Sequence, residues 1–119
     1  MTLPTDILVW AIVLHLVADW PLQNEWMACN KTDLRRPAAW VHSGIHTCLL
    51  LLVFPWLYAV AIGITHLLID TRVPVQWWNA HYKHMPPGVP LFDEIELWMD
   101  QVFHIIVLAA AVVLLTLSS

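Results

Sequence analysis

Four apolar stretches of this 119-residue chain each carry two ionisable side chains spaced four residues apart: His15 with Asp19, His42 with His46, His66 with Asp70, and Asp100 with His104. On a helix, residues at that spacing share one face about 6 Å apart, near enough to grip a single ion. Imidazoles and carboxylates are costly to place in apolar segments, so such pairs persist where something compensates them. The run at residues 63–70, GITHLLID, is the clearest instance.

The rest of the composition fits a lipid environment. Hydrophobic residues make up 60% of the chain and charged ones 12%, against about 25% charged in an average soluble domain. One integral membrane domain over residues 1–119 is the expectation. The amino terminus lacks a basic stretch, and His15 and Asp19 stand where a cleavage site would fall, so no removable signal peptide is expected. Cys29 in a loop and Cys48 in an apolar run do not make a disulfide framework. The net charge is -4, and only five Lys and Arg are present, without the basic stripe of a nucleic-acid binder.

Prolines punctuate the chain. Pro21, Pro37 and Pro55, with the Pro-rich stretch before residue 91, predict helices over 3–20, 37–54, 56–72 and 91–117. The fold class is therefore all-α, a four-helix transmembrane bundle made of two helical hairpins. Its spans are short against the ~20 residues that a bilayer requires, which implies local thinning or a bundle that dips partly into the interface. Every Lys and Arg lies in the two loops that join helices one to two and three to four. The positive-inside rule then puts both loops in the cytoplasm and both termini outside. Trp20, Trp26, Trp40, Trp77, Trp78 and Trp98 read as an interfacial belt on that side.

This topology brings all four pairs into the cytoplasmic leaflet, sorted by depth. His15, His46, His66 and His104 form an inner tier, and Asp19, His42, Asp70 and Asp100 an outer one. A weak internal repeat matches His15-Leu-Val-Ala-Asp19 with His66-Leu-Leu-Ile-Asp70, implying a pseudo-twofold axis along the membrane normal. One such pair is commonly a hydrogen-bonded core feature; four at one depth point to a shared metal centre. Five His and three Asp exceed the needs of one four-coordinate ion, so two or three divalent ions are expected, with Asp19, Asp70 and Asp100 as the catalytic carboxylates. Nitrogen and oxygen donors without cysteine suit zinc, manganese or iron.

A metal cluster rimmed by Lys31, Arg35, Arg36, Arg72 and Lys83 suits an anionic phosphoester presented at the membrane surface, with Lys31, Arg35, Arg36 and Arg72 as its binding groups. The plainer reading of each basic residue is topology and attraction to anionic lipid. Glu25, Glu94 and Glu96 are candidate proton carriers, and Gln23, Asn30 and Gln101 candidate partners that orient the ligands. His81 and His84 read as surface residues or a lid.

At His15, Asp19, His42, His46, His66, Asp70, Asp100-Gln101 and His104 the chain resembles a family of small bacterial and phage-encoded membrane proteins of unknown function, over most of its length. More distantly, its ligand pairs resemble those of membrane-bound metal hydrolases and of the zinc-dependent phospholipase C and single-strand nuclease superfamily. That resemblance implies zinc, phosphodiesterase-type chemistry and a bacterial inner-membrane location. The leading expectation is a membrane-embedded metal-dependent hydrolase acting on a phosphoester, lipid or lipid-linked, at the cytoplasmic face. A divalent-metal transporter and a membrane di-iron redox protein are the alternatives. The partners expected are the bilayer and the substrate, and a homo-oligomer is left open.

Overall fold

The computed structural model describes residues 4–118. Six helices account for its regular structure: α1 (Thr5–Asp19), α2 (Glu25–Asn30), α3 (Pro37–Leu50), α4 (Trp56–Asp70), α5 (Val73–His81) and α6 (Phe92–Ser118). Among the described residues there is no strand, and the fold class is all-helical.

Local chemistry sets the boundaries. Pro21 follows directly on the end of α1. Pro37 occupies the first turn of α3, and Arg36 before it is extended, as a residue preceding proline must be. Pro55 stops the chain again. Ahead of it, residues 51–54 tighten into turns, with Val53 N–H donating to the Leu50 carbonyl at 3.1 Å and Phe54 N–H to the same oxygen at 2.9 Å. α3 therefore ends at Leu50 rather than at residue 54. The start expected at residue 3 lies outside the described residues.

The two polar loops are the main correction to a four-helix reading, because each contains a short helix. The Asn24 side chain caps α2 by accepting from Met27 N–H at 2.9 Å. α5 has Pro74 in its first turn and is bent 58° from α4. Arg72 makes that corner with φ +67, the left-handed conformation that commonly closes a helix.

The long helices make a ring in which α1 packs on α3, α3 on α4, α4 on α6 and α6 on α1. α2 packs on α3, and α5 rests against α4 and α6. The order long–short–long thus occurs twice, and the diagonals of the ring set α1 opposite α4 and α3 opposite α6. α3 and α4 meet closely at Gly63, whose carbonyl accepts from Ser43 Oγ at 2.6 Å. A methyl group on Gly63 would overlap Thr47 Oγ1.

The two ends of the ring differ in what they bury. One end of the ring has an apolar core that includes Ala11, Leu50, Phe54, Ile62, Leu108 and Val112. The other end buries His15, Asp19, His42, His46, His66, Asp70, Asp100 and His104. Meanwhile Val9, Leu57, Ile64, Ile106 and Leu114 are exposed on the outer faces. Among the described residues, α6 alone is long and apolar enough to cross a membrane by itself, and the bent pair α4–α5 passes the same test when taken together, so four full spans are not supported.

Candidate metal centre

The ring brings all eight paired residues together, none more than 3% exposed. α1 and α4 end on Asp19 and Asp70, whereas α3 and α6 approach from the opposite direction. Asp19 is a hub: His42 Nε2 and His46 Nε2 each lie 3.0 Å from its Oδ1, and His15 Nε2 lies 3.4 Å from Oδ2. Asp70 is a second hub. His66 Nε2 is 2.8 Å and His42 Nε2 3.3 Å from Oδ2, and His104 Nε2 is 3.4 Å from Oδ1. A tetrahedral ion with ligands at about 2.1 Å holds neighbouring donors about 3.4 Å apart, so these separations are those of atoms able to share an ion.

In two groups the candidate donor atoms all lie within 4.8 Å of one another: Asp19, His42, His46 and His66, and His66, Asp70 and His104. In the second set, His66 Nε2, His104 Nε2 and both Asp70 oxygens are buried without a hydrogen-bond partner. His66 Nε2 and Asp70 Oδ2 face each other at 2.8 Å. A buried polar group left without a hydrogen bond costs about 1–3 kcal/mol, and a divalent cation shared by these atoms would offset that cost. The donor set therefore fits a metal, and a buried His/Asp group that could hold one is present.

Neighbouring groups fix the ligand orientations. His104 Nδ1–H donates to the Asp100 carbonyl at 2.8 Å, which leaves the Nε2 lone pair facing Asp70. The Gln101 amide nitrogen donates to Asp19 Oδ2 at 2.9 Å and to Asp100 Oδ2 at 3.3 Å. Its carbonyl oxygen accepts from His15 Nε2–H at 3.0 Å. His15 thus spends Nε2 on Gln101, and neither His15 nor Asp100 belongs to a donor set. Asp100 faces Arg72 instead, at 3.6 Å.

The inner tier is visible as a void. His15, His46, His66 and His104, with Leu50, Ile62, Ile69, Val107 and Leu108, line a cavity of about 10 Å³, close to the smallest space that holds one water, about 10–15 Å³.

The expected substrate groups divide. Lys31, nearly buried, reaches Asp70 at 4.0 Å, and Arg72 spans Asp100 and Glu96. Arg35 and Arg36 do not reach the cluster, because Asp33 holds them on the surface. The Arg35 side chain and its backbone N–H both donate to Asp33, which keeps that carboxyl below its ordinary range. The spacing Asp33-x-Arg35-Arg36 was the signal for this local ion pair. Glu25 and Glu94 are exposed, and Glu96 accepts from Gln76. His81 stacks on Trp77, His84 is exposed, and Asn30 bonds back to the Trp26 carbonyl.

A family model described as "Protein of unknown function (DUF3307)" matches residues 7–119. No curated protein and no solved structure matches the chain.

Proposed function

The chain belongs to the DUF3307 family, and we propose that it is a membrane-embedded, metal-dependent hydrolase whose buried His/Asp cluster acts on a phosphoester. One observation carries the reading: ligand-type atoms with no hydrogen-bond partner crowd at ion-sharing distances beside Lys31 and Arg72. The membrane part rests on the distribution of polarity, apolar outside and ionisable within, which favours a lipid-facing ring of α1, α3, α4 and α6. Trp20, Trp26, Trp40, Trp77 and Trp98 are exposed and suit an interfacial belt at the polar end. Lys31 and the other basic residues near that end favour a cytoplasmic location for it under the positive-inside rule.

One or two divalent ions, zinc being the best match to mixed nitrogen and oxygen donors, would supply Lewis acidity and a lowered water pKa when bound. The chain's own groups do the rest. Lys31 Nζ and Arg72 hold the phosphoryl oxygens. Asp100 Oδ1, buried without a hydrogen bond, accepts a proton from the attacking water. The water oxygen bonds to phosphorus, the ester P–O bond breaks, and the leaving oxygen takes up the proton held by Asp100. Asp19 and Asp70 anchor the centre while Gln101 fixes their geometry.

Two measurements test this. Protein purified in detergent is expected to contain stoichiometric zinc by elemental analysis and to hydrolyse an aryl phosphodiester. Lys31→Ala and Arg72→Ala are expected to raise KM, and Arg35→Ala to leave it unchanged. Absence of metal, or metal without hydrolysis, refutes the reading. A transport role is disfavoured by the apolar plug of Leu50, Phe54, Leu108 and Val112 beyond the cluster; uptake of zinc into proteoliposomes would reinstate it. A di-iron centre would declare itself by iron content and visible absorption.

A further inference from the structure

Two apolar hollows that share Val107 follow one another along the seam between α4 and α6 and together outline a groove. Its first section, about 480 Å³, is bordered by Leu57, Ala61 and Thr65 on one side and Val107, Ala110 and Leu114 on the other. A second section, about 400 Å³, continues past Ile69 and Phe103 to Trp78 and Met99. Val107 borders both. The α6 residues Met99, Phe103, Val107, Ala110 and Leu114 recur at intervals of three and four, so the groove is one helical stripe. Its length from Met99 to Leu114 is about 22 Å at 1.5 Å per residue.

Two features tie this groove to the metal centre. Ile62, Ile69 and Val107 border the groove on one side and the histidine-lined cavity on the other, so a single layer of side chains separates them. The groove's upper end also stands level with the outer tier, since Ile69 and Met99 immediately precede Asp70 and Asp100. Lys31 and Arg72 supply positive charge at that same height.

We propose that the groove holds an acyl chain of the substrate, so that the substrate class is a membrane phospholipid or lipid-linked phosphoester entering sideways from the bilayer. This rests on the hydrolase reading above and deepens it. The chain lies along α6 with its polar head at the level of Asp70, Arg72 and Asp100. The groove is apolar because it receives hydrocarbon, and the cationic groups stand only at its upper end because the phosphate is there. Burial of the cluster from bulk water is then consistent with catalysis, because the substrate arrives through the lipid-facing seam.

The test fills the groove without touching a donor residue. Ala61 and Ala110 are exposed, so Ala61→Phe and Ala110→Phe project into the groove without disturbing the helix-facing core. Native mass spectrometry of protein released from micelles doped with phosphatidylglycerol is expected to show one retained lipid per wild-type chain and at least a tenfold loss of the lipid-bound form in either variant. Zinc content should stay unchanged in both. In mixed micelles, the variants should raise KM for phosphatidylglycerol tenfold or more while leaving turnover of a water-soluble aryl phosphodiester intact. Equal lipid retention in all three proteins overturns the proposal. A wild-type dimer dispersed by the variants also overturns it, since the groove is then a protein interface. Lipid retained and lost as expected, with no hydrolysis of any ester, leaves the groove assigned and refutes the hydrolase reading alone.

Discussion

His66 is the most informative residue to remove, because it is the one side chain common to both donor sets. Consider His66→Leu, which keeps bulk at a site only 3% exposed while deleting the donor atom. Four-ligand zinc sites bind with about 10–16 kcal/mol. One ligand in four therefore represents about 2.5–4 kcal/mol, or about 100- to 1,000-fold in affinity at about 1.4 kcal/mol per decade. The assay is chelator competition on detergent-solubilised protein, paired with unfolding at fixed free zinc. At a zinc concentration of 100 times the wild-type Kd, binding adds about 2.7 kcal/mol to the wild type. A variant bound 100-fold more weakly keeps about 0.4 kcal/mol. Without a metal, deleting a buried nitrogen that has no hydrogen-bond partner would be near neutral, and zinc would shift neither protein. A variant that holds zinc as tightly as wild type refutes the reasoning.

Other perturbations have distinct signatures. Gly63→Ala places a methyl group on Thr47 Oγ1 and 3.3 Å from Thr47 Cβ; a loss of about 1–3 kcal/mol in thermal unfolding is expected, with recovery in the double variant carrying Thr47→Ala. Gln101→Leu removes the amide between Asp19, Asp100 and His15, and zinc affinity by chelator competition should fall about 10- to 100-fold. Cys29 and Cys48 are both exposed on the isolated chain. In intact membranes a charged maleimide applied to inverted vesicles is expected to label Cys29 on α2 and spare Cys48 on α3; equal labelling contradicts the lipid-facing ring.

What could be read from the sequence and what could not have separate physical origins. Helical class was legible because the apolar runs are long and Pro21, Pro37 and Pro55 delimit them. The gathering of the pairs at one end was legible because antiparallel neighbours bring the end of α1 and α4 beside the start of α3 and a middle turn of α6. α2 and α5 were missed since each is short, polar on one side and flanked by loop-forming residues; Asn24 as a cap and Pro74 in a first turn were the signals available. Which residues fall in a candidate donor group was not legible either. Spacing treats His15 like His66 and Asp100 like Asp70, whereas the contacts of Gln101 with His15 and of Arg72 with Asp100 set them apart. Likewise, charge alone grouped Arg35 and Arg36 with Lys31, although Asp33 two residues away is a nearer partner than anything in the core.

The two donor sets draw unequally on the halves of the chain. His66, Asp70 and His104 all come from α4 and α6, whereas the other set joins Asp19, His42 and His46 of the opening half to His66 of the closing half. An ion in that mixed set would tie the two halves of the chain together through His66. A nascent chain stalled before α4 would already offer three donors, Asp19, His42 and His46, and would gain the fourth only when His66 arrives beside them.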